Sequence, residues 1–176
     1  MKPQYFINLL GALAAMMCLA ACQAPKEEAA QTPPSLHEKI LTLDTHVDIP
    51  LTYMTEIDPS GATDLQVDFS KLRAGGLDAA FFIIYTPQGE ETKLGYAEAE
   101  QIAATRMSAI EAMLKAYPDD ITLVRRADDT AQINQSGKIA ALIGMENAFP
   151  LAADIDSVHD WAARGVRYVG LSLIHI

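Results

Sequence analysis

Beyond residue 36 the chain alternates between short apolar runs and longer stretches in which apolar residues return at helical spacing. Leu41-Thr42-Leu43-Asp44-Thr45-His46-Val47-Asp48 reads as a first strand, ended by Ile49-Pro50. The mixed segment through Asp64, with Pro59, Gly61 and scattered acids, reads as loop with room for a short helix. A short helix is expected over Val67 to Gly76, with Asp68 or Ser70 near its N-cap and glycine at its end. The block Ala79-Ala80-Phe81-Phe82-Ile83-Ile84-Tyr85 is continuously apolar, as a parallel strand buried on both faces should be.

From Leu94 to Tyr117 the residues Ile102, Ile110, Met113, Leu114 and Tyr117 recur at helical spacing, and Pro118 stops the helix. A short strand at Ile121 to Val124 and a helix from Ala127 to Gln135 follow. Ile139 to Met145 is a second continuous apolar strand and delivers Glu146. Asp154 or Asp156 would cap a helix to Ala163, Gly165 would close it, and Val166 to Leu171 forms a further strand. Strands of this kind alternating with helices predict a parallel α/β architecture.

The amino-terminal pattern differs. Met1-Lys2 precedes an apolar stretch from Tyr5 to Ala21 that ends in Leu19-Ala20-Ala21-Cys22, which looks like a bacterial lipoprotein signal peptide. On that reading residues 1–21 are removed, Cys22 carries lipid, and Gln23 resembles the pattern sorted to the outer membrane, facing the periplasm. The competing reading, a membrane-spanning helix, needs about 20 apolar residues, and this run is shorter and contains Asn8. Residues 22–35 are rich in Ala, Glu, Gln and Pro without an apolar period, so they read as a flexible tether, and residues 36–176 as the folded part. With Cys18 removed and Cys22 acylated, no pair of cysteines is left to oxidise.

Lys and Arg number 13 against 23 Asp and Glu, a net charge of −10, so the chain lacks the basic footprint of a nucleic-acid binder. Small molecules or metal ions are the expected partners. Apolar residues make up 50% and charged residues 20% of the chain, enough for a buried core.

The candidate chemistry lies at strand ends. Asp44, His46 and Asp48 share one face if the first strand continues through them, and imidazole nitrogen and carboxylate oxygen both ligate zinc and similar ions. The alternative is a strand running into a polar turn, with Asp48 simply solvated. Glu146 falls at the same, carboxyl end of its strand, where ligands meet parallel α/β sheets.

Four segments, Asp44 to Pro50, Leu72 to Phe82, Gly144-Met145-Glu146-Asn147 and Gly165 to Val169, together resemble, in order, the membrane dipeptidase family, also called renal dipeptidase or peptidase family M19. The resemblance implies a TIM-type (β/α) barrel with two zinc ions that hydrolyses dipeptides. His46 and Asp48 would hold one zinc, and Glu146 would bridge the pair. Asp44 would orient a ligand or its loop, or serve only a turn. His37 at the tether boundary and His159 in a surface helix are weaker candidates. A homodimer is compatible with the resemblance.

A complete barrel takes about 250 residues, so residues 36–176 amount to a partial, N-terminal part of one. The family's further metal-binding histidines and catalytic aspartate would lie beyond Ile176. After Leu171-Ser172 the family carries a histidine where Leu173 stands, and His175 comes two residues later, so residues 173–176 read as a divergent or non-native end. The 176-residue chain alone is expected to be poorly soluble and without dipeptidase activity. Two other functions compete: an amidohydrolase-type metal hydrolase, whose first strand carries His-x-His rather than His46-Val47-Asp48, and a solute-binding lipoprotein that needs no metal.

Overall fold

The computed structural model describes residues 35–171, and its five strands form one sheet in which every pairing is parallel. The elements are β1 (Leu43–Asp48), α1 (Phe69–Ala74), β2 (Ala79–Tyr85), α2 (Lys93–Ala116), β3 (Ile121–Leu123), α3 (Asp129–Gln135), β4 (Ile139–Glu146), α4 (Val158–Arg164) and β5 (Val166–Gly170). The expected signal segment, Cys22, most of the tether and residues 173–176 with His175 lie outside the described residues. Among the described residues no helix is long and apolar enough to cross a membrane.

This α/β arrangement is compatible with a partial barrel. β2 lies between β1 and β4, and β5 lies on the other edge of β4, so β1, β2, β4 and β5 adjoin in chain order as successive barrel strands do. β3 pairs with Ile139 to Ala141 and β5 with Ile143 to Glu146, so the two share one edge of β4 in succession.

In-register partners of a parallel sheet point the same way, which separates two faces. Ala80, Phe82 and Ile84 of β2 with Ala141, Ile143 and Met145 of β4 are all buried on the helix-covered outer face. Each larger side chain among them contributes about 1.5–3 kcal/mol of burial. The opposite, inner face carries Phe81, Ile83 and Tyr85 with Leu142, Gly144 and Glu146. Tyr85 is exposed there, and Phe81, Leu142 and Glu146 are half-buried.

The amino ends of β1 and β2 are tied by one network. Asp78 Oδ2 accepts from the Thr42 backbone N–H at 2.8 Å, and the Thr42 hydroxyl donates to the Gly76 carbonyl at 2.7 Å while accepting from the Asp78 N–H at 3.0 Å. α1 is capped by Asp68 and not by Ser70: the Asp68 carboxylate accepts from the Lys71 N–H. α2 is capped by Thr92, whose hydroxyl accepts from the Gly95 N–H.

The core face of α2 is built from small residues as well as from the larger apolar ones that recur at helical spacing, among them Ile110 and Met113. Gly95, Ala99, Ala103, Met107, Ile110 and Met113 are buried, whereas Ile102 and Leu114 are only half-buried. Small side chains bring the helix close to the sheet. The segment from Ile49 to Asp64 forms turns and an isolated bridge between Tyr53 and Ile57, with no helix. Asp154 caps a single 3₁₀ turn, Ile155–Ser157, rather than α4 itself.

Candidate metal centre

β1 does not run evenly to its end. Leu43 and Asp44 pair with Ala79 and Ala80, and Val47 and Asp48 pair with Phe82 and Ile83, so Thr45 and His46 together face the single residue Phe81. This is a β-bulge, which re-aims side chains. It corrects the expectation that Asp44, His46 and Asp48 share a face: Asp48 pairs with inner-facing Ile83, but Asp44 pairs with outer-facing Ala80. Asp44 Oδ1 instead accepts from the His46 backbone N–H at 2.9 Å.

β4 delivers Glu146 to the same inner face, where it pairs with Tyr85. The next residue, Asn147, has φ of 70°, a left-handed backbone that asparagine tolerates better than most side chains. Its amide donates to the Thr86 carbonyl at 3.0 Å and to Gln88 Oε1 at 3.2 Å, and its oxygen accepts from the Phe149 N–H at 3.1 Å. The turn that ends β4 directly after Glu146 is thus held from three sides.

His46 Nε2 lies 3.0 Å from Glu146 Oε2 and 3.4 Å from Asp48 Oδ1. One ligand atom from each of these three residues lies within 4.8 Å of the others. Imidazole nitrogen carries at most one proton and can satisfy only one of the two carboxylates. The remaining negative charge suits a cation. Tetrahedral donors at zinc bonds of about 2.0–2.2 Å would lie about 3.3 Å apart, close to the 3.4 and 3.0 Å of His46 from Asp48 and Glu146, while the three ligand atoms together lie within 4.8 Å. Glu146 is the most sheltered of the three, its side chain 17% exposed against 39% for His46 and 70% for Asp48.

Arg106 was not singled out by its sequence position, since a lone arginine in an amphipathic helix reads as solvated. From α2 its Nε donates to the Ile49 carbonyl at 3.1 Å, and its guanidinium carbon sits 5.7 Å from the centre of the Tyr85 ring. Burial lowers its pKa, while the charge of Asp48 opposes that shift. Its Nη1 is buried and finds no hydrogen-bond partner among the described residues. A cation therefore stands beside the acidic rim and holds the residue that follows Asp48.

The other two histidines among the described residues do not join the group. His37 Nε2 donates to the Gly75 carbonyl at 2.9 Å, beside a cavity of about 390 Å³ that Asp78 and Asn134 also line. His159 is exposed on α4.

The family model described as membrane dipeptidase (peptidase family M19) matches residues 30–175. Dipeptidase ataJ of Aspergillus terreus is 28% identical over 144 residues, 76% of this chain and 35% of that protein. Dipeptidase 3 of Rattus norvegicus is 28% identical over 153 residues, 79% of this chain and 30% of that protein. Among solved structures, the probable dipeptidase PvdM from Pseudomonas aeruginosa superposes with a TM-score of 0.69 at 30% identity, covering 78% of this chain and 36% of its own. A metallo peptidase from Rhodobacter sphaeroides, solved with a phosphinate mimic of the dipeptide L-Ala-D-Ala, shares the fold at a TM-score of 0.58 and 20% identity, covering 76% of this chain and 45% of its own. The chain spans about a third of the length of the curated relatives it matches.

Proposed function

The chain belongs to the membrane dipeptidase family, peptidase family M19, and from that premise we propose that the protein hydrolyses dipeptides with a pair of zinc ions. His46 and Asp48 would hold one ion, and Glu146 would be shared between the two. The observation that carries this reading is the convergence of Asp48 and Glu146 on one nitrogen of His46, from strands that are not neighbours.

Bound there, the ions supply an acidic water for attack at neutral pH and a positive charge for the scissile carbonyl oxygen. The chain's own residues do the placing. Glu146, sheltered at the end of β4 and held by the Asn147 turn, keeps its carboxylate pointed into the inner face. Asp48 sits at the open rim, its following carbonyl tied to Arg106. The reading includes a location: lipid on Cys22 tethers the enzyme to the outer membrane, facing the periplasm.

Metal analysis of the intact, full-length gene product tests the function. About two zinc per chain, with release of free amino acids from dipeptides that stops on chelation, is the expected result. Metal-free protein that binds a small solute and hydrolyses nothing would overturn it in favour of a solute-binding lipoprotein.

A further inference from the structure

The peptide unit joining Thr45 to His46 stands in the β1 bulge, opposite Phe81 and outside the regular ladder. Bulged backbone groups need partners elsewhere. Both polar groups of this peptide are taken by side chains. The His46 N–H donates to Asp44 Oδ1 at 2.9 Å, and the Thr45 carbonyl accepts from the Tyr168 hydroxyl at 2.9 Å.

Tyr168 belongs to β5, on the far side of the sheet from β1, with β4 and β2 between them. Its side chain crosses both. Over β4 it passes Gly144, where an added Cβ would lie 2.4 Å from Cζ and 2.7 Å from both Cε1 and the hydroxyl oxygen. Over β2 its ring meets that of Phe81, with centroids 5.0 Å apart and planes tilted by 53°.

We propose that Tyr168 is a positioning residue for the metal centre: with Asp44 it clamps the Thr45–His46 peptide and so fixes the direction in which His46 reaches Glu146. Gly144 is the clearance that lets the phenol cross. An edge strand with a bulge is otherwise the least constrained part of the sheet, because β1 pairs on one side only among the described residues. The clamp sets the ligand's orientation without touching an ion, as the partners that orient metal ligands commonly do.

This inference rests on the reading of His46, Asp48 and Glu146 as ligands, and the experiment separates the two. In the full-length protein, Y168F keeps the ring and loses the donor. It is expected to weaken zinc binding, measured by chelator competition, by about 10–100-fold, with a melting temperature within about 3 °C of wild type. D44A should weaken binding similarly from the other side of the peptide, and G144A should do so by displacing the ring. In the metal-free protein, the His46 amide of Y168F should exchange with deuterium about tenfold faster than that of wild type. Unchanged zinc affinity and unchanged His46 protection in Y168F would overturn the clamp. Wild-type protein that binds no zinc would overturn the ligand reading, while the amide exchange would still decide whether Tyr168 holds the bulge.

Discussion

His46 Nε2 and Glu146 Oε2 lie 3.0 Å apart although their strands, β1 and β4, are separated by β2. The contact crosses the inner face of the sheet, so it depends on the ends of all three strands being level. Removing the charge of Glu146 should therefore cost more than an exposed ion pair would.

E146Q keeps the size of the side chain and removes its anionic oxygens. In the full-length protein, zinc content measured by mass spectrometry should fall to one ion or fewer per chain. Dipeptide turnover should drop at least about 100-fold, the upper end of what losing a mere orienting partner costs. Wild-type turnover in E146Q would refute its role.

Asp68 links acid sensitivity to α1. Its carboxylate accepts from the backbone N–H of Lys71 and of Thr63, at 2.9 and 3.0 Å, and these bonds, led by Lys71, lower its pKa well below the ordinary value. A lowered folded-state pKa gives stability that is complete above the unfolded value of about 4 and lost as the pH falls below it. D68A should melt about 3–6 °C below wild type at pH 7. The gap should narrow below about pH 4, as read by circular dichroism.

Tyr53 is buried, and its hydroxyl donates to Met113 Sδ at 3.3 Å. A thioether is a weak acceptor, so Y53F should cost no more than about 1 kcal/mol in urea denaturation. Y53A, which removes the ring from the core, should cost about 3–5 kcal/mol. Burial raises the phenol's pKa, so its ultraviolet titration should appear only as the protein unfolds in alkali.

C22S tests the tether. Full-length protein expressed with labelled palmitate should carry lipid in the membrane fraction, whereas C22S should carry none and leave that fraction. Equal membrane association of the two would remove the lipoprotein reading.

Much of the sheet was legible because its signal is local. The unbroken apolar runs Ala79 to Tyr85 and Ile139 to Met145 match β2 and β4 almost residue for residue, and Glu146 is the polar residue that ends the second run. What was not legible depends on partners distant in the chain. The bulge at Thr45 and His46 exists only relative to Phe81, and nothing in the β1 sequence announces it. Ala99 and Ala103, weak marks in a hydrophobic pattern, join Ile110 and Met113 on the core face of α2 because the helix lies close to the sheet. Arg106 turns from a solvated helix residue into a neighbour of Asp48 only because α2 packs against β2, which lets its guanidinium reach the Tyr85 ring and the Ile49 carbonyl that follows β1. The sharp turn at Asn147 had one local clue, since asparagine accepts the left-handed backbone, but its bonds to Thr86 and Gln88 required the fold.

The insertion of β2 between β1 and β4 has a consequence for assembly. Sheet pairings between segments this far apart in the chain close slowly, and His46 cannot meet Glu146 until β2 has zipped against both neighbours. A ligand that grips all three side chains therefore binds only the finished three-strand unit, and by mass action shifts the folding equilibrium toward it. On the proposed zinc reading the three residues would latch their own scaffold, and chelation should loosen β2, a strand that contributes none of them.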